Sequence, residues 1–291
     1  MTFAPATRPL EKFALTSPLG LRFWDVGTGR PVPGGLTVSI TAPHGPALPA
    51  VSTSSGAYAF LSLPGVRREP VPGTDDYFSD PPATVEFLVK VEDPQERFLP
   101  VQFMVPVPAK GFFNFPALTP GVPGGYVPLF SAPARKAPAG FATIRAQLSD
   151  AATLRPAAWA VLEAVAGSGP DFVRASGVAD PTDGTVVIFL PYPESQDGVA
   201  ESPPHPPRKL TDQTWTVQLT LRYDPGASPP FTPASVPLLD RILTQRPGTL
   251  LDSLSPLQSH AGAALRFGSD LVLRAAGSPP SATLFAQPFV V

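Results

Sequence analysis

Forty-two of the 291 residues are proline, and they are scattered from Pro5 to Pro288. A proline inside a helix removes a backbone donor and clashes with the preceding turn, so few windows here can hold a helix of ordinary length. A helical bundle is excluded. Hydrophobic residues still make up 43% of the chain, enough to build a core from short strands joined by tight turns. One window, residues 111–134, carries no charge over a length that would cross a bilayer. Pro116, Pro120, Pro123, Pro128 and Pro133 would break the backbone bonds of a spanning helix. The window is therefore expected to be extended chain, and membrane insertion is not expected.

Self-similarity organises the rest. Asp25-Val-Gly-Thr28-Gly-Arg30-Pro31 matches Asp150-Ala-Ala-Thr153-Leu-Arg155-Pro156 at an offset of 125. Gly56-Ala-Tyr58-Ala-Phe60 then parallels Gly184-Thr-Val186-Val-Ile188, and the alternating Val85, Phe87, Val89, Val91 parallels Trp215, Val217, Leu219, Leu221. Phe98-Leu-Pro100 parallels Phe231-Thr-Pro233, with the offset drifting to 133 as loops differ while strands persist. These matches predict an arm at 1–13, a first β domain at 14–138 and a second at 139–291. Alternating apolar positions between turn formers predict strands at 21–23, 36–40, 58–63 and 85–91 in the first copy. In the second they predict strands at 144–148, 159–165, 186–190 and 215–221, with a closing hairpin of 265–267 and 271–273 around Gly268-Ser-Asp270. One short helix is predicted over 236–245, where Leu238, Leu239, Ile242 and Leu243 share a face.

The order of strand, Asp25 to Gly35 turn, strand, Gly56-x-Tyr58-x-Phe60 and Leu63-Pro-Gly65 resembles the carboxypeptidase-regulatory-like domains, a transthyretin-like group of β-sandwiches. The second copy lacks the Gly after Thr153, the Gly-Gly after Pro156 and the aromatic pair, so its likeness rests on the internal repeat. The resemblance implies an all-β chain of two tandem Greek-key sandwiches, transthyretin-like or Ig-like, with Pro-rich loops. It also implies rigid spacers or adhesive modules, since fold alone does not set function.

Candidate chemistry is sparse. Zero cysteines exclude disulfides, thiolate chemistry and Cys-ligated metals. With 21 basic and 23 acidic residues and no run of five like charges, nucleic acid is not an expected partner. His44, His205 and His260 lie in loop-like sequence without metal-ligand spacing and read as solvated, so no metal, cofactor or catalytic group is expected. Asp25 and Asp150 are read as turn carboxylates accepting backbone N–H bonds, with Arg30 and Arg155 covering strand ends or pairing with them. Glu69, Asp75, Asp76 and Asp80 form an acidic loop without the ligand spacing of a calcium site. Trp159 and Trp215 lie in apolar strands and read as core, whereas Phe23 and Trp24 must point to opposite faces, leaving Trp24 as an aromatic contact.

The uncharged extensions are the expected partner surface: Phe112, Phe113 and Phe115 in the first, and Phe285, Phe289, Val290 and Val291 at the C-terminus. Phe289-Val-Val291, after Pro288, is expected to add as a strand to a neighbour's sheet edge. The arm, the Leu19-Gly-Leu-Arg-Phe-Trp-Asp25 segment and the paired sandwiches resemble accessory proteins associated with phage-tail-like contractile injection systems. That resemblance implies a non-enzymatic structural subunit, held by other protein subunits or by copies of itself. Residues 1–13 lack the apolar stretch of a signal peptide, so cytoplasmic synthesis is expected, with release of a particle by lysis. A surface or secreted module binding glycan or protein is the alternative, and an enzyme with an unrecognised site is a third reading.

Overall fold

The computed structural model describes residues 17–66, 84–109, 111–167, 172–193, 210–226, 235–260, 262–275 and 283–289. Short strands follow one another as the proline spacing demands. The first part holds β1 (Leu19–Leu21), β2 (Phe23–Asp25), β3 (Arg30–Val32), β4 (Thr37–Thr41), β5 (Ala47–Pro49), β6 (Val51–Ser52), β7 (Tyr58–Phe60), β8 (Val85–Glu92), β9 (Val101–Val107) and β10 (Val127–Leu129). The second holds β11 (Phe141–Asp150), β12 (Val161–Ala166), β13 (Val173–Val178), β14 (Thr185–Pro191) and β15 (Thr214–Arg222), then the helix α1 (Leu239–Leu243). It ends with β16 (Pro247–Leu254), β17 (Leu257–Ser259), β18 (Ala263–Arg266), β19 (Leu271–Val272) and β20 (Thr283–Pro288). The fold is all-β, with one single-turn α-helix among the described residues.

The sequence repeat is also a repeat of strand pairing. In β1–β7 Leu19 faces Phe60 and Leu21 faces Tyr58, and in β11–β14 Ile144 faces Ile188 and Ala146 faces Val186. In β4–β8 Val38 faces Val91 and Ile40 faces Val89, while in β12–β15 Leu162 faces Leu221 and Ala164 faces Leu219. A late strand joins the first one in parallel both times, β10 on β2 and β20 on β11. Every one of these apolar pairs is buried except the half-buried Leu219. The pairing repeats because the period-two pattern in each copy admits one register that buries the apolar face.

Closure differs between the copies. Strands β5-β4-β8-β9 form one sheet, with β1-β7-β6 and β10-β2-β3 as separate three-stranded sheets. In the second copy β16 pairs with both β15 and β20, joining everything into one ten-stranded sheet. The cores are shared across the join: Ala158, Trp159, Val161, Val178 and the helix residues Leu239, Ile242 and Leu243 pack into the cluster built on Phe23, Phe60, Phe87 and Phe103. A second cluster centres on Ile144, Leu162, Ile188, Trp215 and Leu284.

Several expectations are corrected. Phe285 does not stand free in a loose tail: β20 lies between β11 and β16 of its own chain, with Leu284 and Ala286 fully buried, and Phe289 beyond it is exposed. Phe113 and Phe115 pack on Phe103 at ring distances of 5.6 and 6.0 Å, so the chain encloses them itself. The closing hairpin does not form, because after the turn at Gly268 β18 pairs with β15 while β19 pairs with β11. Trp159 is buried as expected, but in a turn with φ +63° rather than in a strand. The helix is shorter than its apolar stripe: Leu238 is extended and gives no side-chain cap, and Pro247 already starts β16.

Candidate functional site

The repeated Asp turn builds the junction between the copies. Asp25 Oδ1 accepts the N–H of Gly27 (3.0 Å) and Thr28 (3.3 Å), and Thr28 Oγ1 donates to Oδ2 at 2.5 Å. Asp150 Oδ1 repeats this with Ala152 (3.1 Å), Thr153 N (2.7 Å) and Thr153 Oγ1 (2.8 Å). The expected turn carboxylates are therefore present, but their further partners are not Arg30 and Arg155. Arg135, 110 residues away, grips both oxygens of Asp25, donating to Oδ1 at 2.8 Å and also to Oδ2. Asp150 receives instead the Tyr223 hydroxyl at 3.0 Å.

Arg135 also lies over the rings of Phe98 (4.6 Å) and Phe189 (5.3 Å), one from each copy, and donates to Ser131 Oγ. Burial alone would raise the Asp25 pKa, yet the bonds from Arg135 and Thr28 and the guanidinium charge outweigh it and hold the carboxyl below its ordinary value. Burial likewise opposes ionisation of Asp150, and Thr153 and Tyr223 overcome it. The Tyr223 hydroxyl is pushed upward, first by burial and then by the Asp150 charge.

Beside this junction lies a cleft of about 590 Å³. Glu92, Asp93, Glu96 and Phe98 to Pro100 line it from the first copy, Ala132 to Ala134 from the connection, and Asp180, Thr182 and Asp183 from the second copy. Asp93 is neutralised by Arg97 at 2.9 Å. Asp180 and Asp183 each accept one turn N–H, from Thr182 and Thr185 at 2.8 Å. Among the described residues no cation pairs with Glu92, Glu96, Asp180 or Asp183. The cleft thus has an apolar floor and an uncompensated acidic rim.

The opposite face of β2 carries a different surface. Phe23 and Asp25 point inward, so Arg22 and Trp24 point outward. The Arg22 guanidinium lies 3.4 Å from the centre of the Phe112 ring and 5.9 Å from that of Tyr126, and Tyr126 meets Trp24 edge to face at 5.3 Å. Phe112 reaches this place over Gly20, where any Cβ would meet its ring at 3.0 Å. Phe112 is 39% exposed, and Arg22, Trp24 and Tyr126 are half-buried. No carboxylate pairs with Arg22 among the described residues.

Of the residues singled out in the sequence, the fold brings Trp24 and Phe112 into this strip. Phe113 and Phe115 serve the chain's own packing, Phe285 is half-buried within the β20 ladder, Phe289 is 62% exposed, and Val290 and Val291 lie outside the described residues. The 1–13 arm, His205, the Glu69–Asp80 patch and Phe231 to Pro233 lie outside them too. Arg22 and Tyr126 were missed; the outward parity of Arg22 beside Trp24 was the available signal.

His44 is an exposed loop residue, as expected, but His260 is not. Its ring is only 7% exposed and bonds Asp252 through Nδ1 at 2.6 Å, because β17 folds back on β16 across a bulge at Leu251/Ser253. Its buried Nε2 has no hydrogen-bond partner among the described residues, and it borders neither the cleft nor the strip. Among the described residues no three His, Asp or Glu side chains are placed to hold a metal ion, and no helix is long and apolar enough to cross a membrane. Comparison with known proteins adds no relative to this geometry: no family model, no curated protein and no solved structure matches the chain.

Proposed function

We propose that the chain is a non-enzymatic structural subunit in which two sandwich-like units, residues 14–138 and 139–291, act as one rigid spacer between other protein subunits. The observation that carries this reading is the shared junction. Trp159 and three residues of α1 pack into the first copy's core, and Arg135 spans Asp25, Phe98 and Phe189. A buried junction of this kind resists the relative motion that is the default between domains joined by a small polar interface. Catalytic machinery gains no support from the pairing of Asp25 or Asp150, since each carboxylate is saturated by turn and junction donors.

The phage-tail-like contractile injection particle, suggested by the sequence resemblance, is the assembly to test first. Affinity-tagged protein recovered from its native host should bring down sheath and tube proteins in stoichiometric amounts, and negative-stain images of the particles should label at fixed positions. Recovery of the protein alone would count against this assembly. The half-exposed Trp24, Tyr126 and Phe112 rings favour one competing reading, a surface module for glycan or protein. A glycan array with a Trp24→Ala control separates the two.

A further inference from the structure

We propose that the protein associates head to tail with a second copy of itself, the Arg22 strip of one copy docking on the acidic cleft of the next. This rests on the structural-subunit reading and names one partner for it. Arg22 spends the face of its guanidinium on Phe112, and among the described residues nothing accepts from its in-plane N–H donors, which match a carboxylate edge. Held by a ring at the junction of β1 and β2, the group loses little freedom on docking. Trp24 and Tyr126 beside it are, with Arg, the residue types that most often anchor protein interfaces.

The cleft offers the complement. Glu92, Glu96, Asp180 and Asp183 surround Phe98, Leu99 and Pro100, while the nearby cations are already engaged, Arg97 by Asp93 and Arg135 by Asp25. Strip and cleft lie on either side of β2, since Trp24 points away from the face on which Asp25 and Arg135 meet Phe98, so one chain cannot join its own two surfaces. A net charge of −2 gives copies little mutual repulsion at a distance. Contact between two different patches is heterologous, and it propagates into a ring or a filament rather than stopping at a dimer.

The test uses the full chain in sedimentation velocity and mass photometry. Wild type at about 100 µM should form species larger than a dimer at low salt and fewer at high salt. Arg22→Gln, and separately Glu92→Lys with Glu96→Lys, should each weaken association about tenfold or more. Near-UV circular dichroism should remain that of wild type in both. An equimolar mixture of the two variants, each keeping one intact surface, should yield dimers and nothing larger. A monomeric wild type at every salt concentration overturns the proposal, as does association untouched by either variant or a mixture that stays monomeric. Should Arg22→Gln fail to fold, the exposed Glu92/Glu96 variant and the salt response still decide the matter. A monomer that nevertheless co-purifies with a particle would defeat this inference and leave the structural-subunit reading standing.

Discussion

Ending the chain after Ala282 removes β20, the strand held between β11 and β16. The loss can be estimated from the pairing. Thr283 to Ala286 face Gln147 to Asp150 on one side, and Phe285 to Pro288 face Gly248 to Leu251 on the other, eight residue pairs in all. At about one net hydrogen bond per pair and about 1 kcal/mol per bond, the ladders contribute on the order of 8 kcal/mol. The fully buried Leu284 adds about 2 kcal/mol. The sum approaches the whole stability of a typical domain, about 5–15 kcal/mol. It also strips a partner from both β11 and β16 and opens the ten-stranded sheet. The truncated protein should therefore lose the cooperative thermal transition of the second copy, read by circular dichroism and calorimetry, and appear largely insoluble. A chain ending at Ala282 that melts cooperatively within a few degrees of the full chain would falsify this account of β20.

Four smaller perturbations follow from the same contacts. Asp25→Asn, which leaves Arg135 facing an amide, should cost about 3 kcal/mol at neutral pH in urea denaturation. Because the Asp25 pKa is depressed in the folded chain, its advantage over the variant should be complete above about pH 5 and fade as the pH falls through the folded value. Tyr223→Phe should cost about 1–3 kcal/mol by removing a donor from buried Asp150, whose pKa should rise in carboxyl-resolved NMR titration. Gly184→Ala should prevent soluble expression, since φ there is +76° and a Cβ would collide with the Leu148 carbonyl. Leu154→Gly should stabilise by about 1 kcal/mol, raising the melting temperature, because Leu154 holds φ +57° while 63% exposed.

What could be read in the sequence was what two neighbouring residues decide between them. The Asp-x-x-Thr turn was legible because its bonds close within four residues, and the opposed faces of Phe23 and Trp24 followed from strand parity alone. The strip was not legible, because Tyr126 reaches Trp24 only through the parallel pairing of β10 on β2, across 104 residues. The fate of the uncharged segments was misjudged for one physical reason. Lack of charge marks a segment that must be covered, and it does not say by which chain. His260 was taken for a solvated loop because its partner, Asp252, lies on the facing strand, where a bulge sets the register.

The two copies share a turn and differ in what they do with it, and the difference bears on how the two parts of the chain are held together. In the second copy the turn closes beside its own sheet: Tyr223, the residue that follows β15, satisfies Asp150, and Ala152 at the second turn position is exposed. In the first copy the equivalent position must be Gly27. A Cβ there would lie 2.9 Å from Ser131 Oγ and 3.0 Å from the Phe189 ring, so the connecting segment and the second copy press directly on the turn backbone. Arg135, supplied by that same segment, takes the place that Tyr223 holds in the other copy, and the segment is steadied by Arg145, which donates to the Pro133 carbonyl at 2.8 Å. A neutral phenol suffices where the carboxylate faces its own core, whereas the bidentate guanidinium fixes orientation between two bodies. Exchanging Ala152 for Gly should therefore change little, while Gly27→Ala should loosen the junction without unfolding either copy. Cysteine pairs placed across the junction of this cysteine-free chain and read by electron–electron resonance should show a broadened distance distribution in Gly27→Ala and an unchanged one in Ala152→Gly. Equal distributions in both variants would mean that the junction is held elsewhere, in the contact of α1 and Trp159 with the first core.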